Sequence, residues 1–189
     1  MSLSHIFIFL FSLTFISTQL TITNGVFSQQ SNIILPSEQE RTEKLTHVHF
    51  YYHEIRNNKN PSLVQIINAP RNVPNGFGTT FVMDDAMTEG PELSSNQIGR
   101  AQGLFGLSSL NDLGMFMLTN FVFKEGNFAG SSLSMLGRNP ISEQNREMPI
   151  VGGTGVFRFA RGFVIANSVN SISTPEHFVV EYNITVLHP

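Results

Sequence analysis

The nine residues HVHFYYHEI, positions 47 to 55, gather three histidines, two tyrosines and a glutamate, side chains that move protons or hold metals. Successive side chains of an extended strand alternate, so His47, His49, Tyr51 and His53 share one face and Val48, Phe50, Tyr52 and Glu54 the other. Two chemistries compete for this stretch. The histidines acting together would make a metal site, which needs three or four converging ligands. Glu54 acting among apolar and aromatic neighbours would be a carboxyl group stripped of hydration, able to donate as well as accept a proton. The alternative for that glutamate is a structural ion pair with a neighbouring arginine.

A His-x-His pair with a Glu five residues later resembles part of the metal motif of cupins, secreted plant β-barrels. The rest of that motif is not in place. Position 41 is Arg and position 61 is Pro where glycines are needed, and Pro74-Asn75-Gly76 leads into Phe-Gly-Thr without reaching a histidine. The chain is therefore read without a metal.

The elements that must position Glu54 follow from composition and period. The chain has 189 residues, 41% hydrophobic and 13% charged, enough apolar material for one core. Its net charge is -3 and it has no run of Lys or Arg, which argues against nucleic acid or an anionic membrane surface as partner. The apolar run Ile6 to Ile16 is too short to span a bilayer but suits the core of a secretion signal. Residues 1–28 are read as that signal, cleaved at Val26-Phe27-Ser28 or near Ser17, residues 29–44 as a flexible arm, and residues 45–189 as one domain. With no Cys, that domain must be held by its core and by partner subunits. The sequon Asn183-Ile184-Thr185 fits export and marks Asn183 as a glycosylation site.

From residue 47 onward, short runs rich in Val, Ile, Phe, Tyr and Thr alternate with Gly, Pro, Asn and Ser clusters, the signature of an all-β sandwich or barrel. Eight strands are expected, at about 47–55, 62–69, 77–84, 98–108, 113–123, 130–138, 155–167 and 177–187. The last alternates cleanly, with Phe178, Val180, Tyr182, Ile184 and Val186 on one face and Asn183 on the other, wet one. In LGMFMLTNFVF both faces look dry, so a neighbouring subunit or a second sheet must cover one of them. The Gly152-Gly153-Thr154-Gly155 run precedes strand-like residues rather than a helix, so it is a turn and not a phosphate cradle.

Four blocks in order, FGTTFVMDDAMTEGPELSSNQIGRAQGLF, FKEGNFAGSSLSMLGRNP, NREMPIVGGTGVFRFARGF and VVEYNITVLHP, resemble the dirigent protein family of plants. The resemblance runs from about Leu45 to the carboxyl end, with HFYYHEI matching the family's first strand. It implies an eight-stranded antiparallel β-barrel of the dirigent and allene-oxide-cyclase kind, trimeric and secreted to the apoplast. It implies no cofactor and no oxidase activity. A separate laccase or peroxidase makes phenoxy radicals, such as those of monolignols, and the barrel sets the regio- and stereochemistry of their coupling, as in lignan biosynthesis.

Carried over residue by residue, the resemblance assigns the first-strand carboxylate to Glu54, the Asp pair to Asp84 and Asp85, and the GRAQG arginine to Arg100. An Asp of the radical-coupling members falls at Asn139, their Arg at Arg146 and their Tyr at Phe105. Asn139 cannot protonate a quinone methide and Phe105 cannot donate a hydrogen bond, so a pinoresinol-forming site does not follow. LGRNP, NREMP and VVEYN look more like the branch that includes gossypol-directing proteins and pterocarpan synthases, in which an isoflavanol loses water to a quinone methide that an internal phenol then closes. The expected catalytic pair is Glu54 with Arg146. Tyr52, Asp84, Phe105, Asn139 and Arg161 are the expected substrate-binding residues, Arg161 on one strand face with Phe157, Phe159 and Phe163.

Overall fold

Alternation carries through the folded chain. In the computed structural model, which describes residues 42–56 and 59–189, nine strands form one antiparallel sheet: β1 (Lys44–Ile55), β2 (Leu63–Ile67), β3 (Thr80–Thr88), β4 (Gln97–Leu107), β5 (Gly114–Phe123), β6 (Ser132–Pro140), β7 (Arg146–Thr154), β8 (Arg161–Ser168) and β9 (His177–His188). Their order is β1-β9-β8-β7-β6-β5-β4-β3-β2. Three pairs between β1 and β3, Tyr51↔Thr88 to His53↔Ala86, close the sheet on itself. The result is an eight-stranded barrel without β2, which lies along the part of β3, Thr80–Met83, that β1 leaves unpaired. Closure joins the two end strands of the barrel through those three pairs, and β2 covers the rest of β3.

The expected count of eight thus holds for the barrel, but its membership differs. The expected strand 62–69 is the short extra β2, and REMPIVGGT, read as a connection, is β7. Pro149 and the glycine pair hid it. Pro149 lies one residue beyond Met135↔Ile150, where the pairing of β6 with β7 has already ended, so its missing N–H interrupts no ladder there. The expected arm overlaps the barrel, since Lys44 already pairs with His188 in β1. The expected signal segment lies outside the described residues.

Inward side chains fill the barrel. Phe50, Phe121 and Tyr182 touch ring to ring at centroid separations of 5.3 to 5.5 Å, and burying a ring of this size is worth roughly 1.5–3 kcal/mol. At the end where Lys44 meets His188, Phe123, Phe128, Phe157 and His188 stack into a plug. The opposite end, where Glu54 meets Phe178, is left for a cavity.

The expected strand 155–167 begins too early, because Gly155–Phe157 is a 3-10 turn and β8 starts at Arg161. The same double turn occurs at Pro74–Gly76 and Gly126–Phe128. Each needs a left-handed residue two positions after its end. Gly78 and Gly130 supply it at φ 94° and 80°, whereas the third turn uses Phe159 at φ 64°, 78% exposed. Phe157, Phe159 and Arg161 therefore do not share a strand face.

His53, on the outer face, is nonetheless wholly buried at the closing seam. Its Nε2 lies 2.7 Å from Thr88 Oγ1 and its Nδ1 3.0 Å from His177 Nε2. The Thr88 hydroxyl donates its single proton to Gly90 O, so it accepts from His53 Nε2–H, and Nδ1 must accept from His177. A second proton on His53 would force His177 into its other tautomer to keep that contact. Burial, with His177 adding to it, holds its pKa down at about 4, against 6.5 for a free histidine. Because the folded value is the lower, the unfolded chain binds the extra proton first, and stability falls as pH drops from 6.5 to 4, by up to about 3 kcal/mol. Thermal unfolding across that range should show the fall in the wild type and a shallower one in His53→Asn. Equal slopes would remove His53 from the acid response.

Candidate functional site

The open end of the barrel holds a cavity of about 250 Å³. The inner face of β1 brings Tyr52 and Glu54 to it, β4 Phe105, β6 Asn139, and β7 its first residue, Arg146. All five were expected at the site. They come from four strands far apart in sequence, and barrel closure gathers them.

Glu54 is 6% exposed. Its Oε1 is ion-paired with Arg56 Nε at 2.5 Å, and its Oε2 accepts a 3.3 Å hydrogen bond from the Tyr52 hydroxyl. Arg56, half-exposed at the rim, also lies 4.9 Å over the Phe178 ring. The neighbouring-arginine contact anticipated for Glu54 is therefore present, at the mouth rather than in the core. Tyr52 is fully enclosed, and burial, with the charges of Asp85 and Glu54, raises its pKa well above that of free tyrosine.

Arg146 is 4% exposed, yet its one hydrogen bond runs from Nε to the carbonyl of Ala166, 3.3 Å away, and no carboxylate pairs with it among the described residues. It heads a cross-strand row with Ala166, Tyr182 and Phe50. Burial lowers its pKa, and Tyr182 partly offsets this. A guanidinium desolvated and left with unspent donors is poised for an electron-rich oxygen. Asn139 donates to Met117 Sδ at 2.8 Å, and its Oδ1, buried, has no partner. Phe105, Met115 and Met117 make the opposing wall apolar.

Two expected residues lie elsewhere. Asp84 is on the outer face of β3, where its Oδ1 accepts from Arg100 Nε at 2.8 Å and Gln102 Nε2 at 3.2 Å, beside an open groove of about 780 Å³. That groove is the larger hollow, but Glu54 and Arg146 do not line it. The pair Asp84-Asp85 does not end its strand, which continues to Thr88, so alternation turns one residue out and the other in. Asp85 is the inward one, fully buried, its Oδ1 accepting from Ser62 Oγ. Burial pushes its pKa up to about 7 against the pull of the Ser62 hydrogen bond and the neighbouring Tyr52 hydroxyl. Arg161 is outside too, clamping Glu43 with bonds of 2.6 and 2.7 Å, because the turn before it shifts β8 so that Gly162 and Val164, not Arg161, face in.

His47 and His49 point outward to Thr185 Oγ1 at 3.0 Å and Glu181 Oε1 at 2.8 Å, away from Glu54. Among the described residues no three His, Asp or Glu side chains converge as metal ligands. Sequence reasoning missed Arg56 and Tyr182 as cavity residues. Tyr182 was legible, since it alternates with Phe178 and Val180 on the dry face of its strand.

A family model described as dirigent-like protein matches residues 45–187. Dirigent protein 21 of Arabidopsis thaliana is 42% identical over 170 residues, covering 89% of each chain. Pterocarpan synthase 1 of Glycyrrhiza echinata is 40% identical over 183 residues, 95% of this chain and 96% of its own. The solved structure of a pterocarpan synthase dirigent protein superposes with a TM-score of 0.72 at 43% identity, over 80% of this chain and 88% of that one.

Proposed function

The chain belongs to the dirigent family, and from that premise we propose that it is a cofactor-free lyase that dehydrates a phenol-bearing benzylic alcohol of the isoflavanol class and closes the resulting quinone-methide-type intermediate to one stereoisomer. The observation that carries this reading is a buried guanidinium with unspent donors, Arg146, lining one cavity with the carboxyl group of Glu54. As the benzylic C–O bond breaks, Glu54 supplies the proton with which the hydroxyl leaves as water. Arg146 hydrogen-bonds the departing oxygen while charge builds on it. The internal phenol that then adds to the carbon returns a proton to Glu54, so the carboxyl group ends as it began and no oxidant is consumed. A cavity of 250 Å³ is below the roughly 300–1,000 Å³ of drug-sized sites, which suits one polycyclic guest better than two phenols side by side.

The second reading is stereo-direction of phenoxy-radical coupling, with laccase or peroxidase as the separate oxidant, and the apolar wall of Phe105, Met115 and Met117, which moves no proton, favours it. Incubating the pure protein with an isoflavanol and no oxidant separates the two. Turnover to a pterocarpan is expected. No turnover, with a skewed enantiomer ratio once laccase and a monolignol are added, would transfer the assignment to the director.

The reading includes a trimer exported to the apoplast. Leu104, Leu118 and Leu136 stand in register across the outer faces of β4, β5 and β6, Leu118 and Leu136 being 41% and 50% exposed, and a second subunit would cover them. Asn183, exposed on the outer face of β9, would carry the glycan. Native and denaturing mass measurements on protein recovered from wall fluid would read subunit number, amino terminus and glycan.

A further inference from the structure

Glu54 forms an ion pair with Arg56, so a proton for the leaving hydroxyl has to reach it from another group. We propose that Asp85 stores that proton and loads Glu54 through the hydroxyl of Tyr52. The inference rests on the lyase reading above.

The geometry comes from barrel closure. The register Tyr51↔Thr88, Tyr52↔Met87, His53↔Ala86 ends one step short of Glu54 and Asp85, which alternation turns inward beside that seam. Both side chains face inward and both are buried. Two carboxylates buried near each other repel, and the pair is relieved when one keeps a proton. Arg56 compensates Glu54, whereas no ion pair is formed by Asp85 among the described residues. Its Oδ1 takes the Ser62 hydroxyl, which in turn accepts the Ile55 N–H at 2.8 Å, and its Oδ2 is buried without a hydrogen-bond partner. The Tyr52 hydroxyl stands beside Asp85 and lies 3.3 Å from both Glu54 Oε2 and Met83 Sδ, of which the carboxylate is the stronger acceptor for its one proton. The groups that bear on Asp85 are Glu54 and Tyr52 of β1, Tyr182 of β9 and Arg100 of β4, whose guanidinium is bound to Asp84 outside the barrel. Burial is the largest influence and keeps Asp85 protonated up to about pH 7, the Glu54 charge adding to it.

The transfer balances. The Asp85 O–H bond breaks as its proton joins the Tyr52 oxygen, and the former Tyr52 proton forms the new O–H bond on Glu54. Tyr52 ends neutral, Asp85 is a carboxylate and Glu54 a carboxylic acid. When the ring-closing phenol gives its proton to Glu54, the same path in reverse recharges Asp85. Asp85 is thus a positioning residue for the proton, one side chain removed from the cavity.

Infrared difference spectra and steady-state kinetics test this on the full-length protein and on Asp85→Asn, which keeps the side-chain shape and an acceptor for Ser62. A protonated-carboxyl band that fades as pH rises through about 7 is expected in the wild type and absent from Asp85→Asn. In that variant kcat should fall about 100-fold, KM should stay within about twofold, and the kcat decline near pH 7 should vanish. Tyr52→Phe should keep the band and lose kcat similarly. A wild type without the band, or an Asp85→Asn variant with unchanged kcat and pH profile, overturns the proposal. If Ser62→Ala reproduces the full loss while the band persists, Asp85 serves only as an anchor for the β1 end and the proposal is likewise overturned. If the wild type turns over no isoflavanol, the lyase reading fails separately, and the band alone then decides whether Asp85 stores a proton.

Discussion

Glu54→Gln is expected to lower product formation by about 10²–10⁴-fold while the barrel stays folded, because the substitution removes the carboxyl group that β1 presents to the cavity and little else. Gln retains an oxygen to accept the Tyr52 hydroxyl. The Arg56 guanidinium loses its partner but is half-exposed, so water takes over its solvation. The stability change should stay near 1 kcal/mol, a shift of roughly 2–4 °C in Tm for a chain of this size. Circular dichroism fixes the folded fraction and product chromatography the rate. A variant that retains more than half of the wild-type rate would return Glu54 to a purely structural pairing with Arg56.

Arg146→Met should move stability and activity in opposite directions. A buried cation with one backbone hydrogen bond and, among the described residues, no anionic partner has been removed from water without full compensation, which costs several kcal/mol. Met has nearly the same length and no charge, so Tm should rise. The rate should fall about 10²–10³-fold, the usual loss when a donor aimed at developing charge is deleted. Arg146→Lys restores the charge without the planar fork and should recover part of the rate only. Loss of stability in Arg146→Met would mean that the guanidinium holds the wall together, and an undiminished rate would remove it from the chemistry.

Much of the architecture is legible from local pattern. The clean alternation of residues 178–187 and of residues 47–55 fixes which side chains of β9 and β1 face inward, Glu54 and Tyr52 among them. Asp84 and Asp85 show how narrow that legibility is. Both are acidic and adjacent, and reading the strand as ending there removed the alternation that separates an outward Arg100 partner from a buried carboxyl group. Arg161 failed for a related reason: a strand assumed to run through Gly155–Phe157 carried its face assignment across a turn. β7 was invisible because Pro and Gly argue against strands, and only the neighbouring ladder shows where they do no harm.

By itself, the sequence determined the strand character of the chain, the inward side of its first and last strands, and the resemblance that carries the family. These rest on stereochemistry within a few residues, where side chains must alternate and turns need particular φ angles. Only the tertiary structure decided that Glu54 and Asp85 are buried beside the same seam, that Arg146 pairs with no carboxylate among the described residues, and that Arg56 and Tyr182 complete the cavity. Those facts depend on which strands meet when the sheet closes and at what register, and a one-residue change in register would exchange every inward side chain for its neighbour.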